Sequence, residues 1–248
     1  MQLYFIRHAQ SENNALWTRT RSSEGRLADP GLTTTGWRQA RLLAQFLAQN
    51  ADSAATNDWD PQNRSGFGLT HVYSSLMRRA VATGNEIAQT LDLPLIGWAD
   101  IHERGGIYLK DEDSGEMVGL PGENRAFFAA YYPRLQPPAT LGNDGWWQNR
   151  PYETPEAALD RAQRVITHLL ARHGGTKDRV ALISHGGFYH SFLSVLLDSP
   201  LQAANLGHVS DIWVALHNTA ISRFDFFEDN LLVTYMNRVD FLPATLIT

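Results

Sequence analysis

The apolar positions of this chain alternate between short continuous runs and stretches that recur with a helical period. Leu3-Tyr4-Phe5-Ile6 is a run of the first kind, cut off by Arg7-His8 and a polar, turn-prone segment, and it predicts a buried strand. Residues 10 to 31 are polar and end in Pro30-Gly31, which predicts a long loop. Beyond Thr33, the positions Trp37, Ala40, Leu43, Ala44 and Leu47 return at helical spacing. Residues 50 to 68, rich in Asn, Asp, Ser and Gly, predict a surface excursion. A second strand is expected at Leu69 to Ser74. It feeds a helix that carries Ala80, Val81, Gly84, Ile87, Ala88 and Leu91 on one face, and Leu95-Ile96 follows as a third strand.

Residues 102 to 154 break this rhythm. A helix around Asn124 to Tyr132 fits, and loop is expected for much of the remainder. The stretch reads as a loop and helix insertion over the site, at about residues 104 to 154, because its apolar residues are too few for a core of their own. Trp146-Trp147 within it would either wall a pocket or, more simply, pack against the body. Thr154 then caps a helix with Pro155 at its first position and Ala158, Ala162, Val165, Ile166, Leu169 and Leu170 facing inward. Val180-Ala181-Leu182-Ile183 has the continuous apolar character of a strand covered on both faces. Its end, Ser184-His185-Gly186-Gly187, opens a helix to about Leu197. Ile212 to Leu216, Ile221 to Phe227 and Leu231 to Met236 read as strands, the last two forming a hairpin. Strands alternating with helices predict an α/β three-layer sandwich with a mostly parallel central sheet and an antiparallel edge strand. We expect one domain over residues 1 to 248.

Composition narrows the function classes. Hydrophobic residues make up 43% of the 248 and charged residues 19%, a balance that argues for a globular chain and against disorder. The formal charge of −5 lacks the basic stripe of a nucleic-acid binder. An anionic substrate would therefore need arginines placed locally against a mildly unfavourable field. Cysteine is absent, so thiolate catalysis, disulfides and Cys-based metal sites are excluded. No run of about 18 apolar residues stands anywhere, and Gln2 leads directly into the first strand without a basic leader. A cytoplasmic protein with no membrane partner is expected. Phe241-Leu242-Pro243 and Leu246-Ile247 pack either on the body or on a second copy, so a homodimer stays open.

Three strand ends carry chemistry: Arg7-His8, Ser74-Ser75 leading to Arg78-Arg79, and Ser184-His185-Gly186. Each alone has a plain structural reading, as a hydrogen-bonded histidine, a solvated helix face or a capping turn. Together they differ, because an open α/β sheet gathers ligands beyond the carboxyl ends of its strands. The order of these residues resembles that of the histidine phosphatase superfamily, whose best-known branch is the phosphoglycerate mutases. The likeness rests on Arg7-His8 with Ser11 and Asn14, and on Asp29-Pro30-Gly31-Leu32-Thr33 with Gly36 and Gln39-Ala40. It continues in Ser75 with Arg79-Ala80 and Thr83, in Glu103, in Ser184-His185-Gly186 and in Asn218-Thr219. Ala9 and Gln10 depart from the Gly and Glu common in the family signature.

The resemblance implies that His8 is the nucleophile and Glu103 the proton donor and acceptor. It also implies that Arg7, Asn14, Arg79, His185 and Gly186 hold the phosphoryl group, with no metal and no cofactor. Neutral imidazole is suited to in-line attack on phosphorus, and guanidinium forks match the oxygens of the transferred group. The expected partner is a phosphorylated small molecule, and the expected reaction is phosphomonoester hydrolysis through a phosphohistidine. Cofactor-dependent mutase chemistry is the alternative, disfavoured because the insertion offers only the isolated arginines Arg104, Arg125, Arg134 and Arg150. A non-catalytic phospho-ligand binder is a second alternative. A histidine metal site is disfavoured because the pairs His168/His173 and His185/His190 are each five residues apart, roughly 140° around a helix.

Overall fold

A computed structural model describes residues 1–49, 60–148, 150–197, 214–228 and 230–248, and its first strand, β1 (Gln2–Arg7), sets the layers. Successive side chains of a strand point to opposite faces. Tyr4 and Ile6 accordingly join one buried cluster, Leu3 and Phe5 the other. The first cluster lies under α2 (Thr34–Leu47) and α3 (Arg78–Leu91), which pack β2 (His71–Ser74) and β3 (Leu95–Gly97) from one side. The second lies under α5 (Pro155–His173) and α6 (Gly186–Leu196), which flank β7 (Arg179–Ser184). The layers are helices, sheet, helices, as the alternation of runs and periods required.

Between β3 and α5 come a small hairpin of β4 (Tyr108–Lys110) and β5 (Met117–Gly119), then α4 (Arg125–Tyr131) and β6 (Leu135–Gln136). The chain ends with the hairpin β8 (Ile221–Phe226) and β9 (Leu231–Arg238). The seven-stranded sheet runs β6-β3-β2-β7-β1-β8-β9. Its first five strands are parallel, β8 lies antiparallel to β1, and β9 turns back against β8. The antiparallel strand is thus one place in from the edge. Register is what matters for chemistry: Arg7 stands opposite Ser184, and Ser74 opposite Ile183. The carboxyl ends of β1, β7 and β2 therefore finish level at one edge.

Two expectations need correction. The predicted loop at 10 to 31 contains a helix, α1 (Glu12–Thr20), none of whose residues is buried. A helix without a buried face leaves no periodic trace; this one is started by Ser11, which caps Asn14 N–H while Asn14 Oδ1 accepts from Ser11 N–H. The region after residue 104 is also more integrated than a loop insertion. Ile107, Phe128, Leu135, Leu141, Trp146 and Trp147 belong to the same cluster as Tyr4 and Ile6, and β6 extends the main sheet. The tryptophans pack in the body and do not wall the cleft. Of the expected strand at Ile212 to Leu216, residues 212 and 213 lie outside the described residues and 214 to 216 form no strand; much of the excursion at 50 to 68 also lies outside them. Among the described residues, no helix is long and apolar enough to cross a membrane.

Candidate active site

A cleft of about 230 Å³ opens at the level strand ends, and Arg7, His8, Asn14, Arg79 and Glu103 line it. His8 is 3% exposed, immediately after β1. Its Nδ1 lies 2.7 Å from the carbonyl oxygen of Ala9, a group that can only accept. Nδ1 is therefore the protonated nitrogen, and Nε2 carries the lone pair. Arg79 Nε donates to that Nε2 at 3.1 Å. Burial drives the imidazole pKa well below its ordinary value, and the nearby charges of Arg79 and Arg7 push the same way. His8 is neutral, in one tautomer, with its free nitrogen facing the cleft's cations.

Each neighbour is tied down from a different element. The backbone of His8 is gripped by Asn218, whose Nδ2 donates to its carbonyl at 2.9 Å, while its own N–H donates to Ser184 O. Gly36 leaves room for that stretch, since a Cβ there would run into the Gln10 carbonyl. Arg7 donates through Nη1 to the Leu216 carbonyl, and its buried Nε meets no protein acceptor. Arg79, buried at the first turn of α3, is held by Asp29 at 3.5 Å and by the Met77 sulfur at 3.1 Å. Asp29 also accepts the backbone N–H of Arg78, and burial raises its pKa to about 6 despite the opposing charge of Arg79. The neighbouring Arg78 side chain turns outward to Glu123 at 3.7 Å. Asn14 spends its Oδ1 on Ser11 and Asn218, which leaves its Nδ2 as the donor end over the cleft.

Glu103 and α6 interlock. Its carboxylate accepts from Phe188 N–H at 2.8 Å, Gly187 N–H at 3.2 Å and Arg104 N–H at 2.8 Å. A Cβ on Gly187 would collide with Glu103 Oε1, so a larger residue there would push the carboxylate aside. The positive end of this helix is thereby used by the carboxylate. Gly186, expected to present that helix end to a phosphate, sits beside Arg7. His185 is fully buried, its ring centre 5.1 Å from that of His8, with Nε2 on Ser75 Oγ at 2.9 Å. Its Nδ1 has no protein partner. Burial, then the charge of Arg79, hold its pKa well below the usual histidine value, so among these protein charges alone it is neutral.

Sequence reasoning missed some supports. Arg161 on α5 is 3% exposed, forms a two-pronged bridge to Glu153 with both contacts at 2.6 Å, and donates to the carbonyls of Asp100 and His102. It fixes the backbone that delivers Glu103. Its position three residues after Ala158 on the inward face was the available signal. Helix-pair spacing also failed to anticipate a cluster of His71, His173 and Asp178, whose ligand-capable atoms lie within 4.8 Å of one another. Both His173 nitrogens are engaged there, Nδ1 with Asp178 at 2.8 Å and Nε2 with the Tyr73 hydroxyl at 3.0 Å. It lies at the amino ends of β2 and β7, the edge opposite the cleft.

With this geometry in hand, comparison with known proteins is direct. The family model described as histidine phosphatase superfamily (branch 1) matches residues 3–58 and 61–239. A protein of Hydrogenobacter thermophilus named "Putative phosphoserine phosphatase 2" is 25% identical over 243 residues, spanning 96% of both chains. Among solved structures, phosphoserine phosphatase from Entamoeba histolytica in complex with 3-phosphoglyceric acid superposes with a TM-score of 0.56 at 19% identity, covering 98% of this chain and 99% of that one. A mycobacterial glucosyl-3-phosphoglycerate phosphatase gives 0.55 at 18% identity, covering 96% and 99%. At those identities the structures show a shared fold.

Proposed function

From the histidine phosphatase superfamily, to which the chain belongs, we propose that it hydrolyses phosphomonoesters of small molecules through a phosphohistidine on His8. The observation that carries this reading is the fixed His8 tautomer, with Nδ1 held by Ala9 O and the Nε2 lone pair aimed at the arginines. Nε2 attacks phosphorus in line; the N–P bond forms as the bond to the ester oxygen breaks. The Arg79 Nε–H that now rests on Nε2 is redirected to a phosphoryl oxygen. Arg7 Nε, Asn14 Nδ2 and the partnerless His185 Nδ1 supply further donors, and a bound dianion favours the protonated form of His185.

Glu103 carries the proton. Acting first as the acid, it gives its proton to the departing alkoxide. In the second half it removes a proton from water, which attacks phosphorus and frees neutral His8. No step here draws on a metal or cofactor, because the guanidinium groups neutralise the equatorial oxygens. Brief exposure of the full chain to a labelled phosphomonoester should leave label on wild type and none on His8→Ala, with steady-state turnover reduced on the order of 10⁴-fold or more. Label on the variant, or a wild type that releases phosphate without ever being labelled, would overturn the nucleophile.

A further inference from the structure

One cation of the cleft has no part in the chemistry above. Arg26, from the segment between α1 and α2, lines the same cleft as His8, Arg79 and Glu103. Its guanidinium carbon lies 4.1 Å over the ring of Tyr108 on β4. The Tyr108 ring is itself braced edge-on by Tyr152, with ring centres 4.8 Å apart. A guanidinium over an aromatic face keeps its plane while its edge N–H groups stay free to bind. The other two arginines that line the cleft are spoken for, as are Arg78 and Arg161 beside it. Arg7 holds the Leu216 carbonyl, Arg79 holds Asp29 and His8, Arg78 faces Glu123, and Arg161 is locked to Glu153. Among the described residues, Arg26 has no carboxylate within ion-pair distance and no acceptor for its guanidinium N–H groups.

Placement gives this unpaired charge its meaning. It lines the cleft together with Arg79 and Glu103 at the strand ends and with the exposed Trp17 and Ser23. A chain of net charge −5 repels anions at long range, and a cation left unneutralised at the mouth reverses that locally. The leaving alcohol must project outward past Glu103, toward this rim. We propose that Arg26 is a subsite for a second anionic group, a carboxylate or a second phosphate, carried on the alcohol part of the substrate. The inference rests on the phosphatase reading and adds the substrate class: esters with two anionic ends, the phosphate on the floor and the other on Arg26.

A minimal pair tests it. 3-Phosphoglycerate and glycerol 3-phosphate differ at one carbon, carboxylate against hydroxymethyl, and glycerol 1,3-bisphosphate supplies the second-phosphate arm. Wild type should favour at least one anion-bearing ester over glycerol 3-phosphate by roughly tenfold or more in kcat/KM, chiefly through KM. In Arg26→Gln that ratio should collapse toward one, and Arg26→Lys should restore part of it. The arm with the larger preference identifies the second anion. A ratio near one in wild type, or one unchanged in Arg26→Gln, would overturn the subsite. Equilibrium binding of the same three esters to His8→Ala, with and without Arg26→Gln, separates this from failure of the catalytic reading. Loss of the anion preference there supports the subsite even if no ester is turned over, whereas turnover without any Arg26 effect sinks the subsite alone.

Discussion

At the floor of the cleft, each functional residue is fixed by hydrogen bonds or ion pairs that include a partner from a distant part of the chain. His8 rests on Ala9 O and Asn218, Arg79 on Asp29, and Glu103 on the first N–H groups of α6. At the rim the opposite holds. Arg26 is steadied by one aromatic ring, and Trp17 on α1 lines the cleft while 52% exposed. The floor is organised to hold charge in a fixed arrangement before substrate arrives, which is where electrostatic catalysis gains most. On the proposed reading the rim is what leaving groups meet, and its segments sit on the surface, where sequence change costs little stability. Chemistry and selectivity are, on that reading, carried by regions with different mechanical support.

The largest test of this division concerns Glu103. Glu103→Gln removes the transferable proton and replaces one carboxylate oxygen by an NH₂ group, leaving unsatisfied the backbone donor or donors that oxygen accepts. Hydrolysis of an alkyl phosphate, whose leaving oxygen needs a proton, should fall about 10²–10⁴-fold. Hydrolysis of a nitrophenyl phosphate, whose leaving group departs unprotonated, should fall far less in the phosphorylation step. Equal losses with both esters would mean that Glu103 only props the start of α6. A second variant, Gly187→Ala, displaces the carboxylate by its Cβ and should reproduce the same leaving-group dependence.

A smaller effect probes how the floor is held. Asp29 is buried, anchors Arg79, and has its pKa raised to about 6. Above that pH it is a carboxylate paired with Arg79; below it, it is neutral and the pairing weakens. Asp29→Asn imitates the neutral form at every pH, and should lower kcat/KM by roughly tenfold near pH 8, the scale of one hydrogen bond to a charged group. The informative quantity is the ratio of wild type to variant, in which the substrate's own second ionisation near pH ~6 cancels. That ratio should decline toward one as pH drops through about 6. A flat ratio would remove Asp29 from the positioning of Arg79.

The same division explains what could be read from residues alone. Strands β1 and β7 were visible because burial on both faces demands unbroken apolar runs, and their ends expose Arg7-His8 and Ser184-His185. Helix α1 was invisible because it buries nothing; it exists through the Ser11/Asn14 cap and the paired bonds between Asn13 and Leu27, at 2.8 and 2.9 Å. β6 has two residues, too few for any period to register. Asp29 stood in a recognisable motif, yet its task depends on Arg79, a partner 50 residues on that only the fold supplies. The diversion of the α6 N-terminus to Glu103 was equally hidden, since no local pattern says which of two anions a helix end will receive. Long-range pairing, more than local structure, is what the residues alone withheld.

Trp17 gives the smallest and most selective effect. Half its surface is open and α1 buries none of its residues, so the indole contributes little to the fold. Trp17→Ala should change unfolding free energy by no more than about 0.5 kcal/mol, within the range of ordinary surface substitutions. Hydrolysis of a small, polar ester should keep its kcat, since the floor is untouched. For an ester with an aromatic leaving group, KM should rise severalfold, because burying apolar surface against the ring is worth about 25 cal/mol per Å². Thermal melting and steady-state kinetics on the two esters read these terms separately. A fall of several degrees in Tm would show that α1 is pinned by its tryptophan, and the rim would then share the floor's mode of support. Unchanged Tm with a KM effect confined to the aromatic ester would place Trp17 with Arg26, as a surface that selects leaving groups while the strand ends beneath it do the chemistry.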